Sequence, residues 1–300
     1  FAHVSCLAEQ AKILVAEAVE NNLGNKVLGE RWARWHTCSL CEQDYHSVVA
    51  HALGWACWKT YLGRPETDMV RSFAMRRLGN GLGVAGHFRD ALSVQEAELA
   101  LKRRIGANED DILVAQGNIA ITYKALGRLE EALSIKRDVY SGRLRLNGEE
   151  HEETLREANN YASTLIGLDR FEEAKSLLRK TIPVARRVLG ESREYTLRMR
   201  WCYGQALYKD PAATLDALRE AVTTLEEIEP IARRLLGGAH PLVMVMQQRD
   251  LKGARAALAA RETPEAEKLA QDAFRTARAK IAQERSGLAD AMAAMTTGDA

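Results

Sequence analysis

Proline is scarce in this chain, glycine is modest and long apolar runs are missing, and each shortage removes a class of protein. Only 6 prolines and 21 glycines occur among 300 residues, while Ala, Leu, Glu, Lys and Arg dominate. That mixture favours helices over strands and excludes a collagen-like or proline-rich chain. The longest nearly apolar stretch, residues 48–58, contains His51 and is far shorter than the roughly 20 residues a membrane-spanning helix needs. No membrane insertion is expected. An excess of either charge is missing too: 42 basic and 41 acidic side chains nearly cancel. No long-range field therefore draws in a polyanion, and nucleic acid is not an expected partner. The five cysteines are odd in number and scattered, unlike the disulfide framework of a small secreted domain. A reducing, cytoplasmic location is expected. The chain opens on Phe1 instead of methionine, which reads as a fragment or processed product. Catalytic signatures are also lacking, with no Gly-rich phosphate loop, no HExxH and no GxSxG. The expectation is a protein that is not an enzyme and needs no cofactor.

What the sequence does contain is a repeat. GHFRDAL at 86–92, GRLEEAL at 127–133 and DRFEEAK at 169–175 recur at steps of 41 and 42. A second set of anchors ends at Gly106, Gly148, Gly190 and Gly237, at steps of 42, 42 and 47. Ala174 and Pro183 return as Ala221 and Pro230 with the same internal spacing, so the five extra residues of the last step fall near 209–214. Tyr45, His46 and Val49 take the places of Phe88, Arg89 and Leu92, which suggests a divergent earlier repeat.

Within one unit the pattern predicts helix, tight turn, helix. Residues 112–126 carry Ile112, Ala115, Ile119, Ala120 and Tyr123 at helical spacing, and Gly127 supplies a left-handed stop. A second helix is predicted over 129–146, closed by Gly148. Small residues flank each turn, as in Ala120 with Ala132, Ala162 with Ala174 and Gly204 with Ala221, because antiparallel helices approach closely only where side chains are short. Basic residues crowd the last turn of each second helix (Lys102, Arg143, Arg186, Arg233), where they are expected to offset the helix dipole. Acidic pairs such as Glu130 with Glu131 and Glu172 with Glu173 recur in equivalent turns, and recurrence argues for structure, since an active site is needed only once.

A small residue in the first helix, an aromatic three further on, a Gly before the turn and an Ala five after it resemble the tetratricopeptide repeat, most closely at 117–133. The 42-residue period, the Asn-Asn-Tyr-Ala run at 159–162, "LGE" at 189–191 and "GGAHP" at 237–241 are similar to the kinesin light chain subfamily. The resemblance covers 69–242, and more weakly 31–66. It implies an all-α, right-handed superhelical solenoid of antiparallel helix pairs whose first helices line a concave groove for peptide segments of partner proteins. The heptad coiled coil that pairs a kinesin light chain with its heavy chain is not visible, so only the binding mode carries over.

If first helices face the groove, its stripe is Arg76 and Asn80, then Gly117, Asn118 and Ile121, then Arg156, Asn159 and Ser163, then Arg198, Trp201 and Gln205. Amides and arginines of this kind suit an extended, mildly acidic peptide. The competing reading of Asn159 is that it only satisfies backbone groups between repeats, and of Trp201 that it is core.

His36, Cys38, Cys41, His46 and His51 bring together metal-ligand residue types, and Cys38 with Cys41 has the CxxC spacing of half a zinc site. The second half is missing, so no metal is expected, with Cys38, Cys41 and His46 as the minority set. The preferred alternative is an aromatic core of Trp32, Trp35, Leu40, Tyr45, Trp55 and Trp58 with the cysteines packed as small hydrophobes. A redox role for the CxxC lacks its usual βαβ context. Three segments result: N-terminal helices with the divergent repeat and Cys/His cluster at 1–66, the repeat array at 67–260, and a capping helix with a disordered tail at 261–300, Thr263 and Pro264 starting that helix. The function expected is an interaction scaffold, kinesin light chain-like. The alternative is a regulatory or ubiquitin-pathway adaptor whose zinc-binding or catalytic part precedes residue 1.

Overall fold

One backbone hydrogen bond closes successive turns of the repeat. His87 N–H donates to the Leu82 carbonyl, Arg128 N–H to Tyr123 and Arg170 N–H to Leu165, each at 2.9 Å. These six-to-one bonds end a helix only if the residue before the donor turns left-handed. Gly86 and Gly127 do so with φ of 84° and 76°, and Asp169 takes the same role at 56°. Asp tolerates this region better than most non-glycine residues, so the sequence match of Asp169 to two glycines reflects a shared backbone requirement.

The computed structural model describes residues 3–238 and 240–262, together with Lys268 and Arg275. Among them the fold is all-α, as expected, with no strand beyond an isolated bridge between Thr37 and Asp44. No described helix is long and apolar enough to cross a membrane. The chain divides into two compact units, residues 1–170 and residues 171–300. The predicted C-terminal helix and its Thr263 cap lie outside the described residues.

The first unit contains α1 (Val4–Glu20), α2 (Gly24–Trp32), α3 (Ser47–Tyr61), α4 (Met69–Val84), α5 (Phe88–Arg104), α6 (Glu109–Ala125), α7 (Leu129–Asn147) and α8 (Glu152–Gly167). Each helix from α3 to α8 packs chiefly on its neighbours in sequence. Local rules explain the boundaries: Asn108 Oδ1 caps α6 by accepting from Asp111 N–H at 2.8 Å, and Asp68 caps α4 through Val70 N–H at 2.7 Å. Ala120 and Ala132 are fully buried beside the α6–α7 turn, as the small-residue rule requires. The α3–α4 contact is closer still. A Cβ on Gly81 would sit 2.7 Å from the Ala50 carbonyl, and one on Gly54 would sit 3.1 Å from the Arg77 carbonyl.

Residues 33–46 interrupt this order. A single 3₁₀ turn at Ala33–Trp35 is followed by a loop closed by the Thr37–Asp44 bridge, with Tyr45 N–H donating to His36 at 2.7 Å. Thus α3 fills the place of a second helix, while α2 and this loop stand where its partner would be. Trp32, Trp35, Tyr61 and Phe73 form a buried aromatic cluster here, with ring centroids 5.6 to 6.4 Å apart. The aromatic core predicted for this segment therefore exists, but its membership differs. Leu40 is 93% exposed, Trp55 is exposed, and of the cysteines in the segment only Cys57 is packed as a small hydrophobe.

The second unit contains α9 (Phe171–Leu189), α10 (Glu194–Tyr208), α11 (Leu215–Leu236), α12 (Pro241–Val245) and α13 (Lys252–Glu262). The five inserted residues form the α10–α11 connection, where Asp210 pairs with Lys175 at 2.8 Å. Gly204 allows α11 to approach, since a Cβ there would meet Leu225 at 3.0 Å. Between α12 and α13 residues Met246–Leu251 form a π-turn. That wider turn points Asp250 into the core at 0% exposure, where it accepts from Tyr208 Oη at 2.7 Å, Trp201 Nε1 at 2.8 Å, Gln205 Nε2 at 2.9 Å and Arg249 Nε at 3.0 Å. Burial alone would raise the Asp250 pKa, but the donors from Arg249, Tyr208 and Gln205 outweigh it and hold the carboxyl below its usual range.

Candidate functional site

Arginines are the charged half of the expected groove stripe, and all three are already committed. Arg76 pairs with Glu98 and Asp111, both at 3.2 Å. Arg156 pairs with Glu153 and with Glu157 at 3.5 Å. Arg198 pairs with Glu194 at 2.7 Å, one turn away on the same helix. A guanidinium with a built-in carboxylate partner has little free energy left for a ligand's acid, because the ligand must displace that partner first. Gln205 is buried and Trp201 half-buried, both held by Asp250, so they serve the core of the second unit.

Of the basic residues at the helix ends, Arg186 and Arg233 are exposed in the last turn as expected, but two others are not. Lys102 and Arg143 occupy equivalent repeat positions and are each 2% exposed. They do not simply face solvent at a helix terminus. Lys102 reaches Glu98 at 3.1 Å and Asp111 at 3.3 Å, while Arg143 pairs with Asp110. Both therefore clamp α6 to the preceding or following helix. Lys136, another buried cation, pairs with Glu157 at 3.1 Å and does the same for α7 and α8.

Three stripe residues do come together. Asn80 on α4 and Asn118 with Ile121 on α6 line a cavity of about 600 Å³ within the first unit, a volume in the range of ligand sites. Its remaining walls combine apolar surface from Gly81, Gly83, Val84 and Phe88 with polar groups from the loop that interrupts the repeat: His36, Asp44, Tyr45 and His46. Arg77, one residue after the predicted Arg76, also lines it.

Arg77 differs from its neighbour in one decisive respect: it forms no ion pair among the described residues, and its buried Nε has no hydrogen-bond partner. Burial disfavours its charged form, yet a guanidinium stays protonated under ordinary conditions. The nearby His36 is different. Burial first and the Arg77 charge second push its pKa down to about 4, with Asp44 opposing them, so the ring is neutral at pH 7. Its Nδ1 is likewise buried without a partner. The cleft thus presents a guanidinium without an ion pair, on which Asp44 acts only at a distance, and a neutral imidazole beside apolar wall, an arrangement that suits a carboxylate joined to an apolar group.

On α8, Ser163 accepts a hydrogen bond from Lys124 at 2.9 Å, and Asn159 is 7% exposed with an Oδ1 that has no partner. The suggested metal set does not assemble. Among the described residues no group of three or more His, Cys, Asp or Glu side chains is gathered to hold an ion.

A tetratricopeptide-repeat family profile matches residues 112–153 and 154–193, the sections that contain α6–α7 and α8–α9. Those sections are tetratricopeptide repeats. Solved structures agree on the fold. A Podosopora anserina protein of nearly identical TPR-like repeats, described as a kinesin light chain, aligns with a TM-score of 0.51 at 17% identity over 78% of this chain and 98% of its own. A second structure of that protein gives 0.50 at 17% identity, covering 79% and 99%. BtubC (BKLC) from P. vanneervenii gives 0.50 at 15% identity, covering 92% of this chain and 93% of its own. A search of curated proteins gives no significant match. Two sections of the chain thus match the tetratricopeptide repeat, and the chain shares its fold with solved structures of that architecture. The tetratricopeptide sections place α6, which lines the cleft, inside the recognised repeat, while the loop opposite it belongs to the interruption. Sequence reasoning could not find that loop's role, because 36–46 carries no helical period to register against the repeats.

Proposed function

We propose that this protein is a non-enzymatic interaction scaffold of the cytoplasm that binds an acidic, partly apolar segment of a partner protein in the cleft of its first unit. Arg77 carries the reading, being a cleft guanidinium without a carboxylate of its own while Arg76, Arg156 and Arg198 each have one. The acid of the ligand pairs with Arg77, its apolar side chain rests on Val84, Phe88 and Ile121, and its backbone is held by the amides of Asn80 and Asn118. Arg156 and Ser163 extend the stripe along α8, beside the buried Asn159.

The test is an array of nonamer peptides, acidic, neutral and basic, each with one large apolar residue, probed with the wild-type chain, Arg77→Gln and Arg89→Gln, a control on the exposed side of α5. Wild type and the control should retain acidic-apolar peptides, and Arg77→Gln should bind them about 10-fold more weakly, roughly 1.4 kcal/mol. Selection of basic peptides, or equal binding by all three proteins, contradicts the reading.

A further inference from the structure

The loop that interrupts the repeat carries two thiols for which the interaction reading has no use. We propose that Cys38 and Cys41 form a reversible dithiol–disulfide pair in the loop whose His36, Asp44 and Tyr45 line the cleft.

The geometry of the loop supports this. Glu42 N–H donates to the Cys38 carbonyl at 3.1 Å, so residues 38 to 42 close a single tight turn, and Cys38 N–H donates to Gln43 at 2.9 Å. A turn brings the Cα atoms of residues three apart to within about 7 Å, the span that a disulfide bridges with little rearrangement. Leu40 N–H points at Cys38 Sγ from 3.4 Å. Cys38 also receives hydrogen bonds from Cys41 and from the Tyr45 hydroxyl. Each of these donors favours the thiolate, and together they lower the Cys38 pKa from the ordinary thiol value against a weak opposing effect of burial. Access complements reactivity. Cys41 is exposed and Cys38 half-exposed, whereas Cys57 and Cys202 are buried, and burial drives the Cys57 thiol upward.

The expected chemistry is exchange with a low-molecular-weight disulfide such as glutathione disulfide. The Cys38 thiolate attacks one sulfur, its S–S bond breaks and the first glutathione leaves as thiolate. Cys41, losing its proton to water, then attacks Cys38 Sγ and expels the second glutathione. Two protein thiols are oxidised, one glutathione disulfide is reduced to two thiols, and a dithiol reductant reverses the sequence. Oxidation removes the thiolate that Tyr45 bonds, and Tyr45 lines the cleft beside His36 and Asp44. The state of the pair is thereby transmitted to the cleft wall, a consequence that depends on the loop geometry and not on what the cleft binds.

The full chain would be incubated with glutathione disulfide, alkylated under native conditions and mapped by mass spectrometry, beside Cys41→Ser and Cys38→Ser. Wild type should lose two hydrogens within the segment containing Cys38 and Cys41 and regain them with dithiothreitol. Cys41→Ser should stop at a glutathione adduct on Cys38, and in Cys38→Ser the adduct on Cys41 should form no faster than on Cys6, an exposed thiol of α1. Both surface-loop variants should keep the wild-type helical circular dichroism. Persistent alkylation of both thiols in wild type, or adducts spread equally over Cys38, Cys41 and Cys6, overturns the proposal.

Discussion

The α6–α7 hairpin and the segment 33–46 are built on opposite terms. In the hairpin the small residues and turn residues recur 41 or 42 residues away, and buried charged groups are paired within the array: Lys102 with Asp111, Arg143 with Asp110, Lys136 with Glu157. In the segment only Tyr45 and His46 have counterparts in the repeat, two polar atoms near the cleft lack partners, and two thiols are at least partly open to solvent. A periodic sequence can pair many of its charged groups in this way, because each repeat supplies a partner its neighbour can use. The cleft joins both kinds of region, with the unpaired Arg77 coming from a repeat helix and the unpartnered His36 from the segment where the period fails.

This contrast can be strained most severely in the second unit, whose polar centre is fully satisfied. Asp250→Ala leaves Gln205 and the indole and phenol donors of Trp201 and Tyr208 buried without an acceptor, and should cost about 3 to 5 kcal/mol, read as a fall in thermal midpoint and chemical-denaturation midpoint. A loss below about 1 kcal/mol would show that the hub tolerates a vacancy.

Next in size is the contact that supports the cleft. Gly81→Ala pushes a methyl against the Ala50 carbonyl and should destabilise the first unit by about 1 to 3 kcal/mol. Gly83→Ala, two residues on, has room and should gain up to about 1 kcal/mol from helix propensity. Urea unfolding of the two variants separates close packing from a general effect of adding a methyl.

For binding, Arg77→Gln should weaken an acidic peptide about 10-fold, while Arg198→Ala, whose guanidinium is held by Glu194, should change it less than 2-fold. Equal losses would erase the distinction between paired and unpaired arginines.

The smallest effect is a pH dependence. His36 has its pKa lowered in the folded chain, so the folded state takes up its proton later than the unfolded one. Stability from this residue is complete above about 6.5 and is lost as pH falls from there toward about 4. His36→Gln should flatten the dependence of the first unit's unfolding midpoint across that window, and an unchanged slope would assign the acid sensitivity elsewhere.

Much of the fold was legible because its causes are local. Gly86, Gly127 and Asp169 announce left-handed turns, Ala120 and Ala132 announce close helices, and both kinds recur at a fixed step. The second helix predicted over 129–146 is observed as Leu129–Asn147. The candidate site was legible only in part. That Asn80, Asn118 and Ile121 share one cavity follows from a face that can be counted out along a first helix, but the count selected Arg76 where Arg77 is the unpaired neighbour, since pairing depends on Glu98 and Asp111 from two other helices. Trp201 joins the core, as one of its two readings had it, and Gln205 joins it too, through a partner no spacing could reveal: Asp250 lies 49 and 45 residues on and is turned inward by a π-turn. Cys38 and Cys41 were read as buried for want of any signal distinguishing an exposed loop from a compact one.

The central claim is that binding capacity sits in the cleft between the recognised repeat and the interrupting loop. A titration of the isotopically labelled chain with the best acidic-apolar peptide from the array, followed by amide chemical shifts, tests it most directly. The account predicts saturable shifts at Arg77, Asn80, Asn118, Ile121 and His36, with α9 and α11 unmoved. Shifts confined to the paired arginines Arg156 and Arg198, with the cleft residues silent, would contradict it.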